Sequence, residues 1–411
     1  ISSTIFDWFL VSADEDAITG SVPCVITITA GTDEYPYQVV EDIALELTLS
    51  QFGFPLESII VKSSPIVADL DADGYKEIYF GSDNNLLHGH NSFGEELVGF
   101  PFQSTDRVRS SPAIGDVDND GQMEIVFGNS SGKLYIINQD GSQQLAYTQL
   151  GFIEGAPALV DIDGDQDLEI IFTTTTGSGG QVYVIHHNGA TESGFPKEIG
   201  SMFAGPAVHD LDNDGVVDVV CVTYDKEIYV IEAIGGAIKS GFPFTAESRF
   251  SMPATIVDVD SDGDYEIAAG CNSGDLYILH HDGTIHSQYD TGDDIRGGIS
   301  VCDLNNDGQL DLLFGGYDDR IHVWDPMAGE LLPGWPVDLG YNSLSEPVIA
   351  DLDGDGQVEV LAARKTGKIF GYESDGTLMG NFPIPVDGSI ESSPIIEDID
   401  GDGDLELIIG T

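Results

Sequence analysis

Eight copies of a nine-residue acidic motif recur along this chain at intervals of 45 to 49 residues, and the seventh copy reads DLDGDGQVE. The copies begin at Asp69, Asp116, Asp161, Asp210, Asp258, Asp303, Asp351 and Asp398. A steady period of ~40–50 residues is typical of propeller blades or of another stacked array, in which each unit buries its apolar faces against its neighbours.

Each repeat has the same internal order of short segments. A small residue and Pro open an apolar stretch, as in SSPAIG at 110–115, and the acidic motif is followed by a β-rich run such as EIVFG at 124–128. A turn leads to a further run, KLYIIN at 133–138, and a later segment ends on an aromatic residue and Pro, as in GFP at 99–101. Four short strands per repeat, with turn residues between them and no helical periodicity, predict an all-β fold built as a β-propeller.

The two ends of the chain bear on the number of blades. The eighth repeat supplies two strands, SSPIIEDID and LELIIG, before Thr411, while FGFPL at 52–56 carries the fourth-strand pattern ahead of the first motif. We therefore expect the N-terminal segment to complete the last sheet and close an eight-bladed ring. A seven-bladed ring is the alternative, and it would leave one acidic repeat outside the blades.

Residues 1–50 lack the acidic motif and contain three candidate strands, at 4–13, 23–30 and 35–43. We predict that residues 1–50 are part of an Ig-like β-sandwich and that residues 51–411 form the propeller with its eight acidic loops. The chain begins at Ile1 without Met, so we expect it to be a piece of a longer multidomain precursor.

The acidic motif has the composition of a loop that binds a cation. Carboxylates at positions 1, 3 and 5 converge on one point, Gly at position 6 permits a sharp turn, and a carbonyl at position 7 and an acid at position 9 complete an oxygen shell. Such a shell suits Ca²⁺ better than Mg²⁺, which requires rigid octahedral geometry. The last acid comes three residues earlier than in an EF-hand, and the flanking segments are strands. We expect up to eight Ca²⁺ ions as cofactors.

The predicted ligands are these residues, loop by loop: Asp69, Asp71, Asp73, Tyr75 and Glu77; Asp116, Asp118, Asp120, Gln122 and Glu124; Asp161, Asp163, Asp165, Asp167 and Glu169; Asp210, Asp212, Asp214, Val216 and Asp218; Asp258, Asp260, Asp262, Asp264 and Glu266; Asp303, Asn305, Asp307, Gln309 and Asp311; Asp351, Asp353, Asp355, Gln357 and Glu359; Asp398, Asp400, Asp402, Asp404 and Glu406. The third loop carries Gln166 where the others carry the turn Gly, and the sixth has Asn305 in place of an Asp. We expect the third loop to adopt its turn at some strain and the sixth loop to bind more weakly.

The charge of the chain limits its partners. Lys and Arg number 14 against 72 Asp and Glu, which gives a formal net charge of -58. Such a surface repels nucleic acid and anionic lipid, and no apolar run approaches the ~18–20 residues that span a bilayer. We therefore predict no nucleic-acid partner and no membrane insertion. Because 31 of the acids occupy positions 1, 3, 5 and 9 of the loops, bound cations would neutralise a large share of the charge.

The segments FGS at 80–82, FGN at 127–129 and FGG at 314–316, with the SP and AP pairs that follow, resemble FG-GAP (VCBS-type) repeats. Such repeats form the calcium-bearing blades of integrin α-subunit propellers and occur in many secreted bacterial proteins. The resemblance covers about residues 55–411 and implies a calcium-binding propeller whose ligands are the acids given above. The chain is also similar to modules appended to secreted bacterial proteases and surface proteins. Calcium propellers also occur among polysaccharide lyases.

No arrangement of catalytic residues is evident in the sequence. The pairs His186-His187 and His280-His281 precede turns, and we interpret them as turn or rim residues. We predict no catalytic residues and a secreted or cell-surface binding or adhesion module that recognises a protein or glycan through one face of the ring. The alternatives are an accessory domain of a secreted protease or other hydrolase, and a polysaccharide lyase-type propeller. A lyase would need a basic cluster to hold an acidic sugar chain, which 14 cationic residues hardly supply.

Overall fold

The computed structural model describes residues 20–32, 35–47, 53–56, 59–177, 179–352 and 354–411. The chain divides into two compact units, residues 1–56 and residues 57–411. In the first unit, strands β1 (Gly20–Thr32) and β2 (Tyr35–Leu47) pair along their whole length as an antiparallel hairpin, with Gly20 opposite Leu47 and Thr32 opposite Tyr35.

The predicted Ig-like sandwich over residues 1–50 is wrong. The candidate strands at 23–30 and 35–43 lie within β1 and β2, which pair with each other into one sheet. A sandwich requires two sheets packed face to face, and the described part of residues 1–56 contains no second sheet. The candidate strand at 4–13 lies outside the described residues.

In the described residues, the second unit contains seven antiparallel blades whose strands pair in chain order. Their strands are as follows: blade 1, β3 (Ile66–Ala68), β4 (Glu77–Gly81), β5 (Leu86–His90) and β6 (Phe102–Gln103); blade 2, β7 (Ala113–Gly115), β8 (Glu124–Gly128), β9 (Lys133–Asn138) and β10 (Gln143–Thr148); blade 3, β11 (Ala158–Val160), β12 (Glu169–Thr176), β13 (Gly179–Ile185) and β14 (Lys197–Ile199); blade 4, β15 (Ala207–His209), β16 (Asp218–Val222), β17 (Glu227–Glu232) and β18 (Phe244–Thr245); blade 5, β19 (Thr255–Val257), β20 (Glu266–Gly270), β21 (Asp275–Leu279) and β22 (Ile285–Asp290); blade 6, β23 (Ser300–Cys302), β24 (Asp311–Gly315), β25 (Arg320–Asp325), β26 (Glu330–Leu331) and β27 (Val337–Asp338); blade 7, β28 (Val348–Ala350), β29 (Glu359–Arg364), β30 (Lys368–Tyr372) and β31 (Ile384–Pro385). In blade 6, both β26 and β27 pair with β25.

Among the described residues, no helix has the length and apolar character needed to cross a bilayer.

The prediction of eight blades is also wrong, and the structure corresponds to the seven-bladed alternative. The eighth acidic repeat forms a two-stranded sheet of β32 (Ile395–Glu397) and β33 (Glu406–Ile408). This sheet packs on blade 7 and is tied to blade 1 by a hydrogen bond from Lys76 N to the carbonyl of Ile399, at 2.9 Å. No third or fourth strand joins this sheet in the described residues. The segment at 52–56, which we expected to complete it, belongs to the N-terminal unit, and its described residues form no strand.

The second strand of each blade is the centre of the core. In β8, Ile125 and Phe127 pack toward blade 1, where they meet Tyr79, while Val126 packs toward blade 3, where it meets Phe172. Successive side chains of a strand point to opposite faces, so a strand between two neighbouring blades must be apolar at every position. Burial of each large side chain contributes ~1.5–3 kcal/mol, and this explains the continuous run EIVFG.

In blade 2, the close approach of Ile153 requires glycine at the end of the second strand. A Cβ at Gly128 would lie 2.5 Å from Cβ of Ile153 and closer still to its Cγ2. We expect Gly128→Ala to lower the free energy of unfolding by ~1–3 kcal/mol, because the overpacked interface must shift, as measured by guanidinium denaturation in saturating calcium. Gly177→Ala is the matched control, since nothing lies within 4 Å of its Cβ position. Equal effects of the two substitutions would contradict this account.

Candidate metal-binding loops

The eight acidic motifs lie at equivalent positions, each between the first and second strand of its sheet. We number these loops 1 to 8 in chain order, from 69–77 to 398–406. The first strands of neighbouring sheets contact each other, for example β7 with β11 and β28 with β32. All eight loops therefore lie at the same end of the strands, close to the axis of the propeller.

Three hydrogen bonds within the loop recur in all eight copies. The N–H of position 6 donates to the carboxylate of position 1 at 2.8–3.2 Å, as Gly74 does to Asp69. The N–H of position 7 donates to the carboxylate of position 5 at 2.7–3.2 Å. The N–H of position 2 donates to the acid of position 9 at 2.6–3.2 Å. The backbone thus orients three carboxylates in every loop.

The turn that brings these groups together uses two residues with positive φ. Position 4 has φ between 54° and 83° in all eight loops, and position 6 has φ between 81° and 99°. The predicted sharp turn at position 6 is confirmed by these positive φ values, and seven of the eight loops have Gly there. Gln166 adopts the same conformation at φ 81°, which for a residue with a Cβ is strained by ~1–3 kcal/mol.

The acid at position 9 is the first residue of the second strand and is buried in seven loops, whereas Glu406 is half-buried. Burial raises the pKa of Glu124 to about 7, and the aspartates of the same loop add to the effect. Burial likewise raises the pKa of Asp311 to about 6. The pKa values of Glu77, Glu169, Asp218, Glu266 and Glu406 move in the same direction for the same first cause. A cation among these oxygens would favour the ionised form.

The carboxylates converge as the sequence predicts, and some of their oxygens lack partners. In loop 1, one oxygen from each of its four acids lies within 4.8 Å of the others, and in loop 2 the same holds for three acids. Among the described residues, the Oδ1 atoms of Asp118 and Asp258 are buried and accept no hydrogen bond. A buried carboxylate oxygen without a partner is costly. The donor set therefore fits a hard cation.

Loop 4 differs from the other loops because a lysine reaches it. Lys239 Nζ lies 2.8 Å from Asp212 Oδ1 and 2.7 Å from Asp218 Oδ2, the predicted ligands at positions 3 and 9. The spacing of the acidic motif does not predict this contact. An alignment of the segments that precede the aromatic-Pro pair shows that the lysine is unusual. Two residues before the Gly of GFP, blade 4 has Lys239, whereas blade 1 has Leu97 and blade 3 has Glu192.

Histidines that were interpreted as turn or rim residues also contact the loops. His186 Nδ1 lies 2.8 Å from Oε1 of Glu169, and His280 Nδ1 lies 3.2 Å from Oε1 of Glu266. Each histidine thus contacts the position-9 acid of its own blade. These contacts arise because the third strand ends beside the loop, which the position of the histidines before a turn does not predict.

Two further predicted positions require comment. In loop 6, Asn305 accepts a hydrogen bond from Asp307 N and donates one to Asp307 Oδ2, both at 2.9 Å, so the loop keeps its shape with one charge fewer. Asp353 of loop 7 lies outside the described residues. The assignment of all these residues as calcium ligands remains a prediction.

Comparison of the sequence with known families identifies the repeat. The profile of the FG-GAP-like repeat matches residues 69–127, 116–172, 161–221, 303–362 and 351–409, which together make up more than half of the chain. The chain belongs to the FG-GAP-like repeat family. The match confirms the resemblance drawn from the FGS, FGN and FGG segments. The structure extends the same FG-GAP-like architecture to blade 5, which the profile does not cover.

Solved structures share the fold of this FG-GAP-like protein at low sequence identity. The V. cholerae biofilm matrix protein Bap1 aligns with a TM-score of 0.64 and 14% identity over 85% of this chain and 84% of that chain. Saccharomyces cerevisiae Sqt1 aligns with a TM-score of 0.67 and 14% identity over 87% and 94%. BamB from Moraxella catarrhalis aligns with a TM-score of 0.54 and 18% identity over 82% and 95%. No curated protein matches this sequence.

Proposed function

We propose that this propeller is a calcium-stabilised, non-catalytic binding module of a secreted or cell-surface protein, and that it recognises a protein or glycan through one face of the ring. The main support for the proposal is that the same backbone-to-carboxylate hydrogen bonds recur in all eight loops. These bonds orient the carboxylates toward a common point, where only a cation offsets their repulsion.

Calcium is the ion that this donor set favours. The ligands would be the carboxylates of positions 1, 3, 5 and 9 with the carbonyl of position 7, all of them hard oxygen atoms. Ca²⁺ accepts six to eight such ligands in flexible geometry, and extracellular modules bind it at ~10⁻⁴–10⁻³ M. Each ion would tie the first strand of a sheet to the second, so the metal would stabilise the inner part of the ring.

An extracellular location is supported by two features. The net charge of -58 suits a medium in which divalent cations are abundant. The similar fold of Bap1, which is described as a biofilm matrix protein, supports a role in an extracellular matrix or at a surface. A ligand of neutral or positive charge is favoured, because seven of the 14 cationic side chains already pair with acids of the chain itself, as in Arg109–Asp83 and Lys62–Glu391.

The proposal is tested by probing the immobilised full chain with arrays of neutral glycans, acidic polysaccharides and extracellular matrix proteins, in calcium and in EDTA. We expect calcium-dependent binding to a neutral glycan or a protein and no cleavage of any polysaccharide. Cleavage of a bound polysaccharide by the chain would refute the non-catalytic assignment. Equal binding in EDTA would refute the role of calcium.

Because Lys239 contacts two of its predicted ligands, we expect loop 4 to bind calcium less tightly than the other seven loops. The ammonium group already neutralises Asp212 and Asp218, and a divalent ion would have to displace it. We expect Lys239→Met to bind one more Ca²⁺ per chain than the unaltered protein, counted by equilibrium dialysis at a calcium concentration just sufficient to fill the other loops. Lys226→Met is the matched control, because Lys226 Nζ donates to the carbonyl of Glu247 in the same blade. An unchanged count in Lys239→Met would contradict the prediction.

A further inference from the structure

Blade 1 carries two buried histidines on one face of its third strand. His88 and His90 alternate along β5 and are 5% and 6% exposed. Both rings stack on Phe80 of β4, with ring centroids 5.0 and 5.8 Å apart and nearly parallel planes. The two imidazoles are therefore held in fixed orientations beside each other, with their ring centroids 6.1 Å apart.

The hydrogen bonds of these histidines leave one nitrogen of each ring for a ligand. Ser82 Oγ lies 3.1 Å from the carbonyl of Leu86 and 3.1 Å from His88 Nε2, and when its O–H donates to the carbonyl it accepts from Nε2–H. His90 Nδ1 lies 3.2 Å from the carbonyl of Gly94, which only accepts, so Nδ1 is protonated. The remaining nitrogens, His88 Nδ1 and His90 Nε2, thus present lone pairs.

These two lone pairs have no partner in the part of the chain that the structure describes. His88 Nδ1 and His90 Nε2 are both buried and make no hydrogen bond. A buried polar atom without a hydrogen-bond partner is costly, and two such atoms side by side on one face call for a common explanation. Burial lowers the pKa of His88 to about 4 and also lowers the pKa of His90.

The equivalent position in blade 6 shows what a structural histidine looks like in this fold. His322 is 2% exposed and stacks on Phe314 with nearly parallel planes, as His88 does on Phe80. Both of its ring nitrogens have partners, since Nε2 lies 2.7 Å from Asp318 Oδ2 and Nδ1 lies 3.1 Å from the hydroxyl of Tyr289. A histidine that stacks on this phenylalanine can therefore have partners for both ring nitrogens, so stacking does not explain the unpaired nitrogens of His88 and His90.

Glu96 supplies an acidic group to the same place. It forms an isolated β-bridge with His90, and one of its carboxylate oxygens and one nitrogen of each histidine lie within 4.8 Å of one another. Glu96 is exposed, so the cluster reaches the protein surface.

We propose that His88, His90 and Glu96 form a binding site for a divalent transition-metal ion of the Zn²⁺ class, separate from the acidic loops. Two neutral imidazoles and one carboxylate are a ligand set that Zn²⁺ accepts with water at the fourth position. Imidazole is a poor ligand for Ca²⁺. Metal-binding histidines characteristically donate their second N–H to a fixed acceptor, which is the arrangement that Ser82 and Gly94 provide.

The test uses Co²⁺ as a spectroscopic probe on the full chain with the acidic loops saturated by Ca²⁺. We expect one Co²⁺ per chain with the intense visible absorption of a four-coordinate site, and loss of that absorption when Zn²⁺ is added, because Zn²⁺ binds more tightly than Co²⁺. His90→Phe preserves the ring that stacks on Phe80 and should weaken Co²⁺ binding by ~100-fold or more, since it removes a ligand directly.

Two further variants keep the test decisive if a core substitution disturbs folding. Glu96→Gln changes an exposed residue and should also weaken Co²⁺ binding, whereas His322→Phe, the matched buried control, should leave the spectrum and the affinity unchanged. A spectrum of six-coordinate Co²⁺ in the unaltered chain would overturn the proposal. It would equally be overturned if Glu96→Gln and folded His90→Phe bound Co²⁺ as tightly as His322→Phe does.

Discussion

Removal of calcium with EDTA is expected to lower the melting temperature of the propeller by ~10 °C or more at low salt. Each site that is filled well above its dissociation constant contributes a few kcal/mol by mass action, and up to eight loops are involved. Without the ions, the buried acids at position 9 and the aspartates around them repel one another. Calorimetry in millimolar calcium and in EDTA measures the change.

The control for chelation is the same chain in EDTA with excess Mg²⁺ or with NaCl of matched ionic strength. Mg²⁺ requires octahedral geometry and holds its water, so we expect it to restore little of the lost stability. Salt should restore part of it by screening the exposed acids. An identical melting curve with and without EDTA would show that the loops do not contribute as metal sites.

The metal-free protein is expected to be more stable near pH 5 than near pH 7.5, by several degrees in melting temperature. Burial raises the pKa of Glu124 to about 7 from the ordinary value of 4.5, and six other acids at position 9 shift in the same direction. The folded state then binds more protons than the unfolded state between these values. The free energy of unfolding therefore falls as pH rises through this window.

The calcium-loaded protein should show the opposite slope. Calcium requires ionised carboxylates, so acidification weakens binding and lowers the melting temperature. Crossing curves in calcium and in EDTA, recorded by calorimetry between pH 5 and pH 7.5, would support both arguments. Glu124→Gln should flatten the metal-free curve slightly, whereas Glu95→Gln, at an exposed position, should not. Parallel curves in calcium and in EDTA would contradict the assignment of the position-9 acids.

The interior of each loop was predictable because its contacts are local. The spacing of DLDGDGQVE predicts which carboxylates converge, and all eight loops contain the hydrogen bonds that make them converge. Strand positions followed for the same reason, since the run EIVFG predicts a strand that neighbouring blades bury on both faces. Even the strained turn at Gln166 was evident from one missing Gly.

The number of blades was not predictable in this way. The pattern FGFPL at 52–56 is that of a fourth strand, and local sequence cannot state which sheet such a segment joins. The structure assigns it to the N-terminal unit and leaves β32 and β33 as a two-stranded sheet. Strand pairing between distant segments depends on long-range contacts, which periodicity does not record.

The sequence by itself therefore determined the repeat, the all-β class and the acidic loops, because each of these depends on residues within one repeat. Only the tertiary structure decided that Lys239 reaches loop 4, that His186 and His280 contact the position-9 acids, and that one nitrogen each of His88 and His90 has no hydrogen-bond partner among the described residues. The physical reason is that charge neutralisation and unpaired lone pairs depend on distances between side chains that folding brings together across strands. Those distances exist only after the sheets have formed.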